Sequence, residues 1–128
     1  MLELNPEIVC FIIDKAHEFH AKEQVVIPEE PINPSDDWAL QVLADHEDDP
    51  TYLELKTTID DLEPDQQEAL VALMWLGRGD YEVDEWEAAL RTAHESHNER
   101  TAEYLIATPL LADYLAEGLS LLGYSCEE

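Results

Sequence analysis

The sequence predicts an all-α fold, a compact bundle-like domain of about six helices. Three observations point there. Apolar residues recur at i, i+3 and i+4 spacing in one segment after another. Proline directly behind a polar residue opens four of these segments, which suits the first helical position. No segment alternates apolar and polar residues as a half-buried strand would. The chain has 128 residues, 45% of them apolar, which fits one domain over residues 1–128 with a real core.

Asn5-Pro6 is the first helix start, and Ile8, Val9, Ile12, Ala16 and Phe19 form its buried stripe. This helix should fade near Gln24. Residues 25–34, VVIPEEPINP, then predict an extended Pro-rich arm, because proline at three-residue spacing disfavours helix. Ser35 or Asp36 caps a second helix with Trp38, Ala39, Val42, Leu43 and His46 on one face. Asp49-Pro50 starts a third, with Tyr52, Leu55, Ile59 and Leu62 as its stripe.

Glu63-Pro64 starts a fourth, and Gln66 is placed to reach back to the cap. Its run ALVALMWL, Ala69 to Leu76, is apolar on every side, which predicts a central position. Gly77 and Gly79 are read as its stop. Glu82 and Glu85 mark a fifth start, with Tyr81 placed to staple onto Trp86, and this helix could run unbroken to Ala107. Thr108-Pro109 caps a sixth. Its inner face is read as Leu110, Leu111, Tyr114, Leu115, Gly118, Leu121 and Leu122, with Gly118 marking the close approach of a neighbour. Residues 124–128 are a short acidic tail.

Charge narrows the functions. There are 31 Asp and Glu against 6 Lys and Arg, a formal net charge of -25. Phosphate contacts need clustered Lys and Arg, so direct nucleic-acid binding and anionic membrane surfaces are disfavoured. A basic protein partner, a cationic ligand or a divalent cation suits this field, and so does a merely well-solvated surface. The composition leaves self-association open. The longest apolar run is far short of the about 20 residues a membrane span needs. The N-terminal residues carry no basic leader. Cys10 and Cys126 are the only cysteines, far apart and outside any CxxC pair, so a disulfide framework is not expected and a reducing cytoplasm is the default.

The segments MWLGRGDYEVDEW, HNERTAEYL and TPLLADYLAEGLSLLGYSCEE resemble a family of small acidic proteobacterial proteins known as a domain of unknown function. The likeness is strongest from about Asp49 to Ala107 and extends along the chain. The resemblance implies a helical cytosolic bacterial protein and brings no activity, cofactor or catalytic residue.

His17 and His20 form one HxxH pair, His94 and His97 another. Residues i and i+3 share a helix face, so each pair is a weak candidate for holding a metal. Neither completes HExxH, since Ala21 and Asn98 occupy the fifth position. On a continuous fifth helix, His97 falls in a stripe with Trp86, Leu90, Ala93 and Tyr104, flanked by Arg100 and Thr101. Two readings follow. The polar groups are satisfied structurally between helices, or His94, His97, Arg100 and Thr101 line a pocket for an anionic ligand. Arg78, in the Gly77-Arg78-Gly79 turn, is expected to pair with Asp80, with anion binding as its functional alternative. No nucleotide motif is present, and no motif calls for a cofactor. Without a complete catalytic motif, the sequence favours a non-enzymatic cytosolic interaction or regulatory module. The alternative is a small-molecule or metal-binding protein, or enzyme, centred on His94, His97 and Arg100.

Overall fold

The computed structural model describes residues 4–20, 49–97, 101–108 and 110–126. The Pro-rich arm at 25–34 and the helix expected from Ser35 to His46 lie outside the described residues. So do Arg100 and Trp38, and also the side chain of His20.

Six α-helices and one 3-10 turn make up the described residues, which contain no strand. They are α1 (Pro6–His20), α2 (Pro50–Asp60), α3 (Pro64–Arg78), the 3-10 turn Val83–Glu85, α4 (Trp86–Ser96), α5 (Thr101–Ile106) and α6 (Leu111–Leu121). The all-α, bundle-like class read from the sequence is what the chain adopts. Three starts follow the predicted chemistry. Asn5 Oδ1 accepts from the Glu7 N–H at 2.9 Å. Asp49 Oδ1 accepts from the N–H groups of Thr51 (2.8 Å) and Tyr52 (3.3 Å). The Glu63 N–H donates to Gln66 Oε1 at 3.0 Å.

α3 is the central element. Every residue from Ala69 to Leu76 is buried, and α3 packs against α4, α5 and α6. α1 contributes Val9, Ile12, Ala16 and Phe19 to the same core and lies against α2 and α6. The α3–α6 crossing is close because glycine sits on both sides of it. A Cβ on Gly118 would come within 2.5 Å of the Leu73 carbonyl, and one on Gly77 would collide with the Tyr114 carbonyl. The close approach expected at Gly118 is therefore present.

Four sequence expectations need correction. Gly77 does not stop the helix. It lies inside α3, and Gly79 alone provides the left-handed cap at φ 96°. The fifth helix does not run to Ala107. It ends at Ser96, His97 takes extended backbone (ψ 135°), and the chain resumes as α5 at Thr101. A continuous helix would have set His97 and Thr101 on one stripe; the break at His97 removes that register. The buried face of α6 is Leu111, Ala112, Leu115, Gly118 and Leu119, whereas Leu110 and Leu121 are exposed. Because α6 begins at Leu111, its buried residues follow i, i+4 and i+8 from that position.

Cys10 and Cys126, against the sequence expectation, are joined as a disulfide with their Cα atoms 5.6 Å apart. Separation in sequence argued against the pairing. The bundle overrides it by laying α1 along α6, which returns the C-terminal segment to the first helix. Residues 124–126 are accordingly tied down. The Tyr124 N–H donates to the Leu119 carbonyl at 2.8 Å and its ring packs on the core.

Candidate functional site

The two ends of α3 hold the residues the sequence singled out. Near its N-terminus, Gln67 and Glu68 meet the histidines at the end of α4. The Gln67 amide donates to the carbonyls of Ile59 (2.9 Å) and Leu62 (3.4 Å). Its Oε1 is then left to accept, and His97 Nε2 lies 2.8 Å from it. That arrangement fixes the His97 proton on Nε2. His94 Nδ1 stands 3.1 Å from Glu68 Oε2, with the His94 side chain 74% exposed. His97 therefore clamps the end of α4 to the α2–α3 turn. Thr101 is buried at the start of α5.

The histidine pairs do not complete a metal site among the described residues, where no three His, Cys, Asp or Glu side chains gather at ligand distance. His17 Nε2 instead lies 3.5 Å from Asp113 Oδ1 on α6, whereas His94 faces α3.

Arg78 sits at the other end of α3. Its Nη2 is 2.7 Å from Asp80 Oδ2 and its Nε donates to the same oxygen at 2.8 Å, the pairing read from the sequence. Burial works against the charge. The hydrogen bond to Asp80 and the neighbouring Tyr104 oxygen outweigh it and hold the guanidinium above its ordinary pKa. The Tyr104 hydroxyl accepts from Trp75 Nε1 at 2.8 Å in the buried core. Burial raises that phenol above its ordinary value, against the pull of Trp75 and Arg78.

Beside Arg78 the chain forms a cleft of about 780 Å³. Gly79 turns the backbone so that Tyr81 to Asp84 return along the end of α3. Leu76, Tyr81, Val83 and Leu121 give the cleft apolar walls, and Glu82, Asp84 and Glu117 stand among its lining. Tyr81 is held in place. Its ring lies 6.1 Å from that of Trp75, centroid to centroid, and its hydroxyl donates to Thr92 Oγ1 at 3.1 Å. None of His94, His97, Thr101 or Arg78 lines this cleft. No sequence motif marks the cleft, because its walls come from a turn and from α6, about 40 residues apart in the chain. The one available signal was the pair Gly77 and Gly118, which places α6 against the end of α3.

The class defined by this fold is a small all-helical domain with a satisfied histidine clamp at one end of its central helix and an acid-lined cleft at the other. The chain belongs to the family described as a protein of unknown function (DUF3775), whose model matches residues 52–124. No curated protein and no solved structure matches it. The matched stretch contains the whole cleft and both α4 histidines, while α1, Cys10 and Cys126 lie outside it.

Proposed function

We propose that the chain is a non-enzymatic interaction module that engages a basic partner protein through its acidic helical surface. The observation that carries this reading is the net charge of -25 combined with the fate of the few cations. Lys15 pairs with Glu54, Lys56 with Asp60, and Arg78 with Asp80, each within the fold. Three of the six Lys and Arg are thus paired internally and Arg91 stands exposed among far more numerous acids, so the surface field is strongly negative, which steers and holds cations. The His97–Gln67 clamp supports the structural reading of the histidines over a ligand pocket, since its polar atoms already serve one another.

The test is capture by the immobilised full chain at low salt, where such contacts are strongest. A discrete basic protein that is retained and then released as salt rises is the expected result. Recovery of no basic protein at low salt overturns the reading. The Cys10–Cys126 bond stands against the cytoplasmic placement expected from the sequence, because disulfides persist mainly in oxidising compartments. Alkylation of cells before lysis decides it. Two blocked thiols support the cytoplasm, and two protected ones exclude a reducing compartment.

A further inference from the structure

The cleft between the end of α3, the Tyr81–Asp84 segment and α6 has the attributes of a peptide-anchor site. Its volume, about 780 Å³, lies within the range of ligand pockets. Its apolar walls are held by packed elements. Leu76 is buried in the core helix, and Tyr81 is fixed by Trp75 and Thr92. Leu121 stands 45% exposed at one edge, so an incoming apolar side chain can reach it. Glu82, Asp84 and Glu117 form the polar part of the lining, and none is ion-paired with a Lys, Arg or His. Arg78, at the same end of α3, is turned to Asp80.

We propose that this cleft docks a basic segment of the partner protein. One apolar side chain of that segment seats against Leu76, Val83 and Leu121, and flanking Lys or Arg residues pair with Glu82, Asp84 and Glu117. Charge complementarity chooses this occupant. A second copy of the chain brings the same net charge of -25 to the cleft. Residues 21–48 of the chain itself are also strongly acidic, with Glu29, Glu30, Asp36 and Asp37 among them. Neither would bring a cation to three carboxylates that lack one beside an apolar wall, whereas a basic amphipathic segment satisfies both features at once. The inference rests on the interaction reading above and adds its location and the chemistry of the recognised segment.

The experiment uses the full chain and a labelled library of short peptides, each holding one Leu, Phe or Trp between Lys and Arg residues, read by fluorescence anisotropy at low salt. The expected result is a subset of peptides whose binding weakens about tenfold or more in the Glu82→Gln/Asp84→Asn/Glu117→Gln protein. The same loss is expected when the peptide's apolar residue becomes alanine, and in Leu121→Asp. A charge-matched control, Glu7→Gln/Asp14→Asn/Glu18→Gln on α1, should bind as the parent does. All these residues are exposed, so unchanged helical circular dichroism serves as the folding check. Equal loss in the cleft and control variants overturns the cleft and leaves the general acidic-surface reading standing. Absence of any peptide binding, alongside successful capture of a basic partner, does the same. Equal competition by a simple alkylammonium ion reassigns the cleft to small cations and overturns the peptide site. A concentration-dependent dimer that Leu121→Asp abolishes reassigns it to a second copy.

Discussion

At its N-terminal end α3 offers Gln67 and Glu68 to the histidines that close α4, and those polar groups are matched across helices. At its C-terminal end, roughly 15 Å along the axis, the same helix meets α6 through bare glycine backbone and leaves an apolar cleft beside carboxylates that lack a cation. The first end held the residues that looked chemical in the sequence, His94 and His97. The second end held residues that looked like a helix stop. Titratable side chains that are already hydrogen-bonded to one another are positioned to hold helices together. Cavities arise where walls from elements distant in the chain leave space between them, as between Val83 and Leu121. The chemically conspicuous residues of this chain therefore sit in the clamp, and its open space lies in the cleft.

The comparison breaks most visibly at the α3–α6 crossing. Gly77→Ala places a Cβ against the Tyr114 carbonyl, which is backbone and cannot swing aside. We expect a loss of about 3 kcal/mol or more in chemical denaturation, despite alanine's better helix propensity. Gly79→Ala is the control. Nothing lies within 4 Å of its Cβ, so only the left-handed backbone costs, about 1–2 kcal/mol.

At the other end, Gln67→Leu strips the Ile59 and Leu62 carbonyls of a donor and His97 of its acceptor. A loss of about 1–3 kcal/mol is expected. A double-mutant cycle with His97→Ala should return a coupling of about 0.5–1.5 kcal/mol. Zero coupling would show that the clamp does not hold α4. Glu68→Gln, by contrast, touches a pair whose histidine is mostly in water, and should stay within about 0.5 kcal/mol.

Tyr104 lies near the cleft end of α3, and its variant has a pH signature. Tyr104→Phe leaves the buried Trp75 N–H without its acceptor, at a cost of about 1–2 kcal/mol. The folded phenol is raised above its unfolded value, so the folded state holds that proton more tightly. The associated stability is present below the unfolded value, about 10, and is lost as pH rises through the folded one. Melting temperature should therefore fall in alkali above that value, less steeply in Tyr104→Phe than in the parent. Lys15 and Lys56, raised by hydrogen bonds to Glu54 and Asp60, act in the same direction in both proteins.

The smallest expected effect is at the acids of the cleft. Asp84 and Glu117 lack cationic partners, so Asp84→Asn/Glu117→Gln should stabilise the fold by about 0.5 kcal/mol at low salt through reduced self-repulsion; the Glu82 carboxylate is different, because it accepts from the Glu85 N–H as the cap of the 3-10 turn. The gain should vanish as salt shortens the screening length. Melting curves at two salt concentrations measure it. Destabilisation at low salt would mean that these carboxylates are bound within the fold.

The local chemistry of this protein was legible in its sequence. Prolines behind capping residues, the capping glutamine at Gln66 and the all-round apolar run of α3 act within a few residues of one another, so the chain alone determines the helices they start or bury. The Arg78–Asp80 pair is also local and was readable for the same reason. The tertiary structure decided everything that depends on which helices become neighbours. It broke the fifth helix at His97, where hydrogen bonding to Gln67 holds the end of α4 against the preceding turn. It kept Gly77 helical because α6 needed the space, and it brought Cys126 back to Cys10 across the whole chain. It also set Leu121 opposite Val83 in one cleft. Contacts between residues far apart in sequence depend on packing every helix at once, and no local pattern encodes them.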